Sequence, residues 1–174
     1  MAQPNLHSWA EAEEPLHLIE RETAKADEEP KALCCYGLLR KDNEQMLLRF
    51  VAGQAVSAVT IAFLEWVCTK LAEQGHKTLV IIWDNATWHK SQAVRHWLKA
   101  HNQKVREDWR EDKYGLRIIP CFLPVKSPWL NPIEPKWLHG KRAVVEAERK
   151  LALTELTERV YTHFECEPLA YLTQ

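Results

Sequence analysis

The fold follows from one stretch of eight residues, TLVIIWDN at positions 78–85. Its six strand-forming residues, five of them apolar, run without interruption and end at Asp84. A strand that is apolar on both faces is typical of a central parallel strand that helices cover on both sides. Apolar residues recur at helical spacing before this strand, over 57–74, and after it, from Ser91 onward. The sequence therefore predicts an α/β domain built around Thr78–Trp83.

The remaining elements extend this sheet on both sides. Two short apolar runs, 32–39 and 46–51, are separated by a polar turn and predict a β-hairpin. A further strand is predicted at 116–123, where Pro120 indicates an edge or bulge position. Helices are predicted from Pro132 and over 154–164, with at most a short strand at 16–19. The order of elements predicts a mixed sheet, antiparallel at one side and parallel at the other.

Size and composition favour a soluble globular protein. The chain has 174 residues, of which 46% are hydrophobic, and this is enough for one buried core. We expect neither a membrane span nor a secretory signal, because no long apolar run occurs. The five cysteines are scattered and form no CxxC pair, which favours reduced thiols in a cytoplasmic protein.

The charges are distributed unevenly along the chain. Residues 1–30 contain eight acidic and two basic side chains, a balance of −6, and residues 85–142 contain twelve basic and five acidic ones, a balance of +7. A basic region of this kind is the electrostatic footprint of nucleic-acid binding. The alternative is a set of solvated helix faces, which is the commoner origin of charge runs.

Two carboxylates occupy positions suited to metal chemistry. Asp84 follows the buried strand, and Glu134 lies in the first turn of the helix after the next strand. Side chains at the carboxyl ends of parallel strands face a common crevice, and Mg²⁺ prefers carboxylate oxygens. Each residue also has a structural alternative: Asp84 as a cap of the following helix, and Glu134 as part of a capping box with Asn131.

Two segments, WDNATWHKS at 83–91 and LPVKSPWLNPIEPKW at 123–137, resemble mariner-type DDE transposases, in particular those of bacterial insertion sequences. The resemblance covers nearly the whole chain. It implies a ribonuclease-H-like fold, a two-metal site for Mg²⁺ or Mn²⁺, and DNA cleavage and strand transfer at transposon ends. Asp84 and Glu134 match the second and third acidic residues of the family's catalytic triad, so both are expected to be catalytic metal ligands.

One part of the family pattern has no counterpart here. The family's first aspartate lies on a central strand ahead of a segment that resembles residues 3–14, and this chain has no matching strand or aspartate. Asp27, in an acidic loop, and Asp42, in a hairpin turn, are poor substitutes. The paired helix-turn-helix region that precedes the domain is also absent. We therefore expect a chain truncated at its N-terminus, with a second chain supplying the first aspartate and the helix-turn-helix region, or a homo-oligomer.

The resemblance also suggests a domain organisation and a set of DNA contacts. Residues 1–30 are expected to form an acidic extended segment, 31–150 a partial catalytic domain, and 151–174 a C-terminal helix and tail. For the one histidine and the one tryptophan among the predicted contacts, the alternative is a structural role in packing. The side chains predicted to contact DNA are His89, Lys90, Lys126, Trp129, Lys136, Lys141 and Arg142.

Two other functions remain open from the sequence. The chain could be an inactive remnant or split subunit that binds DNA or a partner chain without cutting. It could also be another ribonuclease-H-like nuclease, for example one that acts on RNA–DNA hybrids.

Overall fold

The computed structural model describes residues 34–111, 113–145 and 151–173, and it confirms an α/β, ribonuclease-H-like architecture. A single turn of 3-10 helix, Pro128–Leu130, lies between the last strand and the third helix. The elements, in chain order, are β1 (Cys34–Leu39), β2 (Met46–Val51), α1 (Ser57–Glu73), β3 (Thr78–Trp83), α2 (Gln92–Arg110), β4 (Arg117–Phe122), α3 (Ile133–Val144) and α4 (Leu153–His163).

The strands form two pairs rather than one continuous sheet. β1 and β2 are antiparallel, with Cys34 opposite Val51, and they form the predicted hairpin. β3 and β4 are parallel, with Thr78 opposite Arg117. Within the described residues, no strand joins β1 to β3. The predicted mixed sheet is therefore divided at the position where the first, central strand of the family's fold was expected to be missing.

The hairpin is buried on both faces. One face shares a core with α1, in which Leu47 and Val51 contact residues such as Phe63. Leu48 and Phe50, on the other face, pack against α3, α4 and the C-terminal segment. The outer edge of β2 is closed as well, because the Leu172 backbone N–H donates to the Phe50 carbonyl at 2.8 Å and its carbonyl accepts from Ala52 at 2.8 Å.

Among the described residues, the parallel pair is covered on one face only. Ile81 and Trp83 point into the core with α1 and α2. On the opposite face Val80 is 56% exposed and Ile82 is 50% exposed. The prediction that helices cover this strand on both sides is therefore wrong for the described residues. The physical reason is that α3 and α4 pack against the hairpin and leave this face without a described partner.

Side chains of α2 close the outer edge of β4. The Asn102 amide donates to the Ile118 carbonyl at 2.8 Å and accepts from the Ile118 N–H at 2.9 Å. The His101 ring lies 2.7 Å from the Leu116 carbonyl oxygen through its Nε2. These contacts satisfy backbone groups that an edge strand would otherwise expose. Pro120 lies in this strand and pairs with Ile81, so the predicted edge position is confirmed.

The first two helices end in different ways. α2 extends to Arg110. At the start of α1, Val56 holds the N-cap position without a side-chain hydrogen bond. After α1, Gly75 has a φ of 84°, a backbone conformation that favours glycine. The acidic segment 1–30 and the predicted strand at 16–19 lie outside the described residues.

No helix in the described part of the chain combines the length and apolar character needed to cross a bilayer.

Candidate active site

Asp84 begins the loop after β3 and is held in place by two donors. Its Oδ1 accepts hydrogen bonds from the Ala86 backbone N–H at 3.0 Å and from His89 Nδ1 at 2.8 Å. Its Oδ2 makes no hydrogen bond with a described residue, and the side chain is 55% exposed. Ser91, not Asp84, caps α2 by accepting from the Val94 N–H at 3.3 Å. The helix-cap alternative for Asp84 is therefore wrong, and one carboxylate oxygen is available to a cation.

Three aromatic side chains hold the His89 ring in its position beside Asp84. It stacks on the Trp83 indole, with ring centroids 5.0 Å apart and planes 15° apart, and it meets Tyr36 and Trp88 edge-on. Burial lowers the pKa of His89, and the neighbouring Asp84 carboxylate opposes this effect only in part. A neutral imidazole that donates its Nδ1–H agrees with the lowered pKa of His89 and with its hydrogen bond to Asp84. His89 therefore orients Asp84 instead of neutralising its charge.

Asn85 ties the loops after the two parallel strands together. Its Nδ2 donates to the Leu123 carbonyl at 2.7 Å, and the Leu123 N–H donates to the Trp83 carbonyl at 3.0 Å. The polypeptide that leads from β4 to α3 thus starts beside Asp84. Sequence reasoning left Asn85 out of the candidate site. The only signal was an amide directly after Asp84, and such a side chain gives no periodic pattern.

Glu134 lies in the first turn of α3, as predicted. The capping box is absent, because the side chains of Glu134 and Asn131 make no hydrogen bond with the described residues. The helix begins at Ile133, and only the Glu134 backbone N–H bonds to the Asn131 carbonyl, at 3.1 Å. The Glu134 carboxylate is exposed and contacts neither Asp84 nor His89 through a hydrogen bond or ion pair. The convergence of the two carboxylates stays a prediction.

The predicted DNA contacts occupy different environments. His89 is bonded to Asp84, and Lys136 Nζ lies 3.3 Å from Glu44 Oε2 in the hairpin turn. Trp129 is 72% exposed in the 3-10 turn that leads to α3. The remaining predicted contacts are Lys90, half-buried beside the Asp84 loop, Lys126, exposed in the turn after β4, and Lys141 and Arg142, exposed at the end of α3.

Asp42 lies at the wrong end of the sheet to complete a site with Asp84. It is paired with Arg40, whose guanidinium also contacts Gln74 and His76. Those two residues precede β3, whereas Asp84 follows it. A six-residue strand is about 20 Å long. Asp42 is therefore no substitute for a third acidic residue near Asp84, and Asp27 lies outside the described residues.

The carboxylate ligands of the candidate site are of the type that a hard divalent cation binds. Mg²⁺ and Mn²⁺ take carboxylate oxygens, and Asp84 and Glu134 offer exposed carboxylates. The number of donors is smaller than a complete site needs, since no group of three His, Cys, Asp or Glu side chains in the described ranges could hold a metal ion. A further acidic ligand or the substrate phosphate has to complete the coordination.

A buried polar atom next to Asp84 also lacks a hydrogen-bond partner among the described residues. The Trp83 Nε1–H has no hydrogen-bond acceptor among the described residues, although the ring lies in the core between His89 and Phe122. A buried donor without an acceptor costs about 1–3 kcal/mol. An acceptor supplied from outside the described residues would relieve this cost.

An α/β domain with one carboxylate after a parallel strand and a second at the start of the next helix offers the ligand type that metal-dependent phosphodiester-cleaving enzymes use. The comparison with known families gives the specific assignment. A family model described as DDE superfamily endonuclease matches residues 5–156, and the chain belongs to this family. Such endonuclease domains act on DNA and generally use divalent metal ions. No curated protein and no solved structure matched the chain.

Proposed function

We propose that this chain is the catalytic domain of a transposase that cleaves DNA and transfers strands at transposon ends, of the mariner type found in bacterial insertion sequences. The observation that carries the proposal is the geometry of Asp84. Its Oδ1 is fixed by two hydrogen bonds at the carboxyl end of a parallel strand, while Oδ2 remains without a partner in the described part of the chain. The family match and the resemblance of residues 83–91 and 123–137 agree with it.

Asp84 and Glu134 would hold Mg²⁺ or Mn²⁺, as a pair of ions when DNA phosphate is bound. Bound divalent ions lower the pKa of a nucleophilic water or 3′-hydroxyl and neutralise charge on the leaving oxygen. The residues of the chain then position this chemistry. His89 keeps Asp84 oriented, and Asn85 holds the β4–α3 connection against the Asp84 loop.

The proposal is tested by nicking of duplexes that carry the ends of the encoding element, in the presence of Mg²⁺. Asp84→Asn keeps the size of the side chain but removes its charge. We expect it to lower the nicking rate about 10²- to 10³-fold, because it removes several kcal/mol of charge stabilisation in the transition state. Glu134→Gln should behave in the same way.

The matched control is Asp42→Asn, which removes an exposed carboxylate at the opposite end of β3. It should leave nicking within about twofold of the parent chain. If the parent chain nicks these duplexes, an equal rate for Asp84→Asn would refute the assignment of the site. Faster cleavage of RNA–DNA hybrids than of transposon ends would instead indicate another type of ribonuclease-H-like nuclease.

A second candidate function, a split subunit without activity of its own, is favoured by the incomplete donor set. We propose that a partner chain supplies an extended segment with a third carboxylate between β1 and β3. Three observations support this: β1 and β3 each pair on one side only among the described residues, no third acidic ligand lies near Asp84 there, and the Trp83 Nε1–H has no acceptor.

This candidate predicts complementation. A polypeptide that contains the family's first strand and its aspartate is added to the purified chain, and thermal unfolding and Mg²⁺-dependent nicking are measured. We expect the melting temperature to rise and Mg²⁺-dependent nicking to appear. The same polypeptide with its aspartate changed to asparagine should not produce nicking. Salt-sensitive DNA binding with no gain in folding or nicking would indicate a non-catalytic remnant.

A further inference from the structure

The outer face of α2 carries basic side chains that the proposed active site does not use. Arg95, Lys99, Arg106 and Arg110 are all exposed, and together they are called the basic row. Because successive helical residues are turned by about 100°, the four positions lie within about 60° of one another around the axis. At about 1.5 Å for each residue, the row extends over roughly 22 Å.

A second face of α2, about 110° around the axis from the row, is fixed in the fold, so the row cannot turn inward. Val94, Leu98 and Val105 are buried on that face. Asn102 makes two hydrogen bonds to the backbone of Ile118 in β4. These contacts set the rotation of the helix about its axis. The basic row therefore faces solvent in a defined direction.

The four cations have no acidic partner in the described part of the chain. No ion pair or hydrogen bond there involves the side chains of Arg95, Lys99, Arg106 or Arg110. Glu107 borders the row, and its Oε1 accepts from Gln103 instead. Like charges one turn apart on a helix destabilise it. An anion bound along the row would remove this repulsion.

The position of α2 determines which anion fits. Ser91 caps the helix directly after the Asp84 loop, so the row starts at the end of α2 nearest the candidate site and runs away from it. Duplex DNA presents one charge for about every 1.7 Å of its axis, or about thirteen along 22 Å. The whole chain has a net charge of −1, so attraction of a polyanion has to come from such a local surface.

We propose that the basic row binds the phosphate backbone of duplex DNA that flanks the cleavage position. This inference rests on the proposed function, since it assumes that DNA lies at Asp84. It adds a binding surface on α2, which sequence reasoning did not include among the DNA contacts.

The test compares two variants of the full chain with equal changes in charge. Lys99→Gln/Arg106→Gln/Arg110→Gln removes three members of the row. Lys41→Gln/Lys77→Gln/Lys104→Gln, the control, removes three exposed lysines elsewhere, including one on another face of α2. Binding to a fluorescent duplex of about 24 base pairs is measured by anisotropy at several salt concentrations, and circular dichroism checks folding.

We expect the row variant to bind at least tenfold more weakly than the parent. Its slope of log K against log salt should fall by up to about 2.7, at about 0.9 for each lost phosphate contact. The control should change affinity less than threefold.

Equal affinities and slopes for the row variant and the control would overturn the inference while leaving the proposed function in place. Unchanged affinity with a lower melting temperature of the row variant would also overturn it, because the row would then pair within the chain. A parent chain that binds no DNA at any salt concentration would remove both the inference and the proposed function.

Discussion

The two strand pairs of this domain differ in how completely they are covered. The hairpin of β1 and β2 lies between α1 on one face and α3 and α4 on the other, and the backbone of Leu172 closes its outer edge. The parallel pair of β3 and β4 is closed by Asn102 at its outer edge, but within the described part of the chain it is open on one face, where Val80 and Ile82 are half exposed.

Because of this difference, we expect the hairpin to contribute mainly to stability and the parallel pair mainly to the proposed chemistry. The covered hairpin contains Leu48 and Phe50, among the most completely buried side chains of the described chain. The parallel pair leads directly into Asp84, the proposed metal ligand, which would need access to DNA and a cation. A substitution in the hairpin should therefore affect folding first, and one near the ends of β3 and β4 should affect activity first.

The largest expected effect on stability comes from the hairpin core. Leu48→Ala removes a side chain that is 1% exposed and should lower the free energy of unfolding by about 2–5 kcal/mol. Ile82→Ala, in β3, removes a comparable side chain on the open face and should cost less than about 1 kcal/mol. Urea denaturation of both variants measures the difference. Equal losses would mean that the open face is covered in solution.

The sequence predicted the elements of both pairs but not their different coverage. The uninterrupted apolar run gave the limits of β3, and the turn between two apolar runs gave the hairpin. The same run predicted burial on both faces, because both faces of the strand are apolar. The sequence of a strand does not show which helices are available to cover it. The choice of α3 and α4 to pack against the hairpin is a tertiary effect without a local signal.

The candidate site was predictable to a similar degree. The position of Asp84 after a strand follows from the hydrophobic pattern, and that of Glu134 in a first helical turn follows from the prolines before it. The hydrogen bond between His89 and Asp84 and the bond from Asn85 to Leu123 depend on side-chain orientation in loops. Such contacts have no period in the sequence, so the pattern could not give them.

A second prediction concerns the edge of the open pair. Asn102→Ala leaves the Ile118 N–H and carbonyl without their side-chain partner and should lower the free energy of unfolding by about 1–3 kcal/mol. Gln103→Ala, one position along on the exposed face of α2, is the matched control and should stay within about 0.5 kcal/mol. Hydrogen exchange of the Ile118 amide should accelerate in the first variant only. If both variants unfold alike, α2 does not close this edge.

The smallest expected effect is a pH dependence that distinguishes the buried thiols from the exposed one. Burial raises the pKa of Cys35 in the hairpin and of Cys68 in α1 from 9.0 to about 12. The folded chain therefore keeps these two protons at pH values where the unfolded chain has lost them. Their contribution to stability is complete below pH 9 and decreases as the pH rises from 9 towards 12.

This contribution should fall by up to about 1.4 kcal/mol per pH unit for each thiol. Denaturation at pH 8.5, 9.5 and 10.0 should show a smaller loss of stability in Cys35→Ala than in the parent. Cys121 lies on the open face of β4 and is exposed, so Cys121→Ala should follow the parent curve. Cys121 should also react first with iodoacetamide, because its sulfur is exposed to the reagent and those of Cys35 and Cys68 are not. Faster alkylation of Cys35 than of Cys121 would reverse the comparison, since the hairpin would then be the half of the domain that opens to solvent.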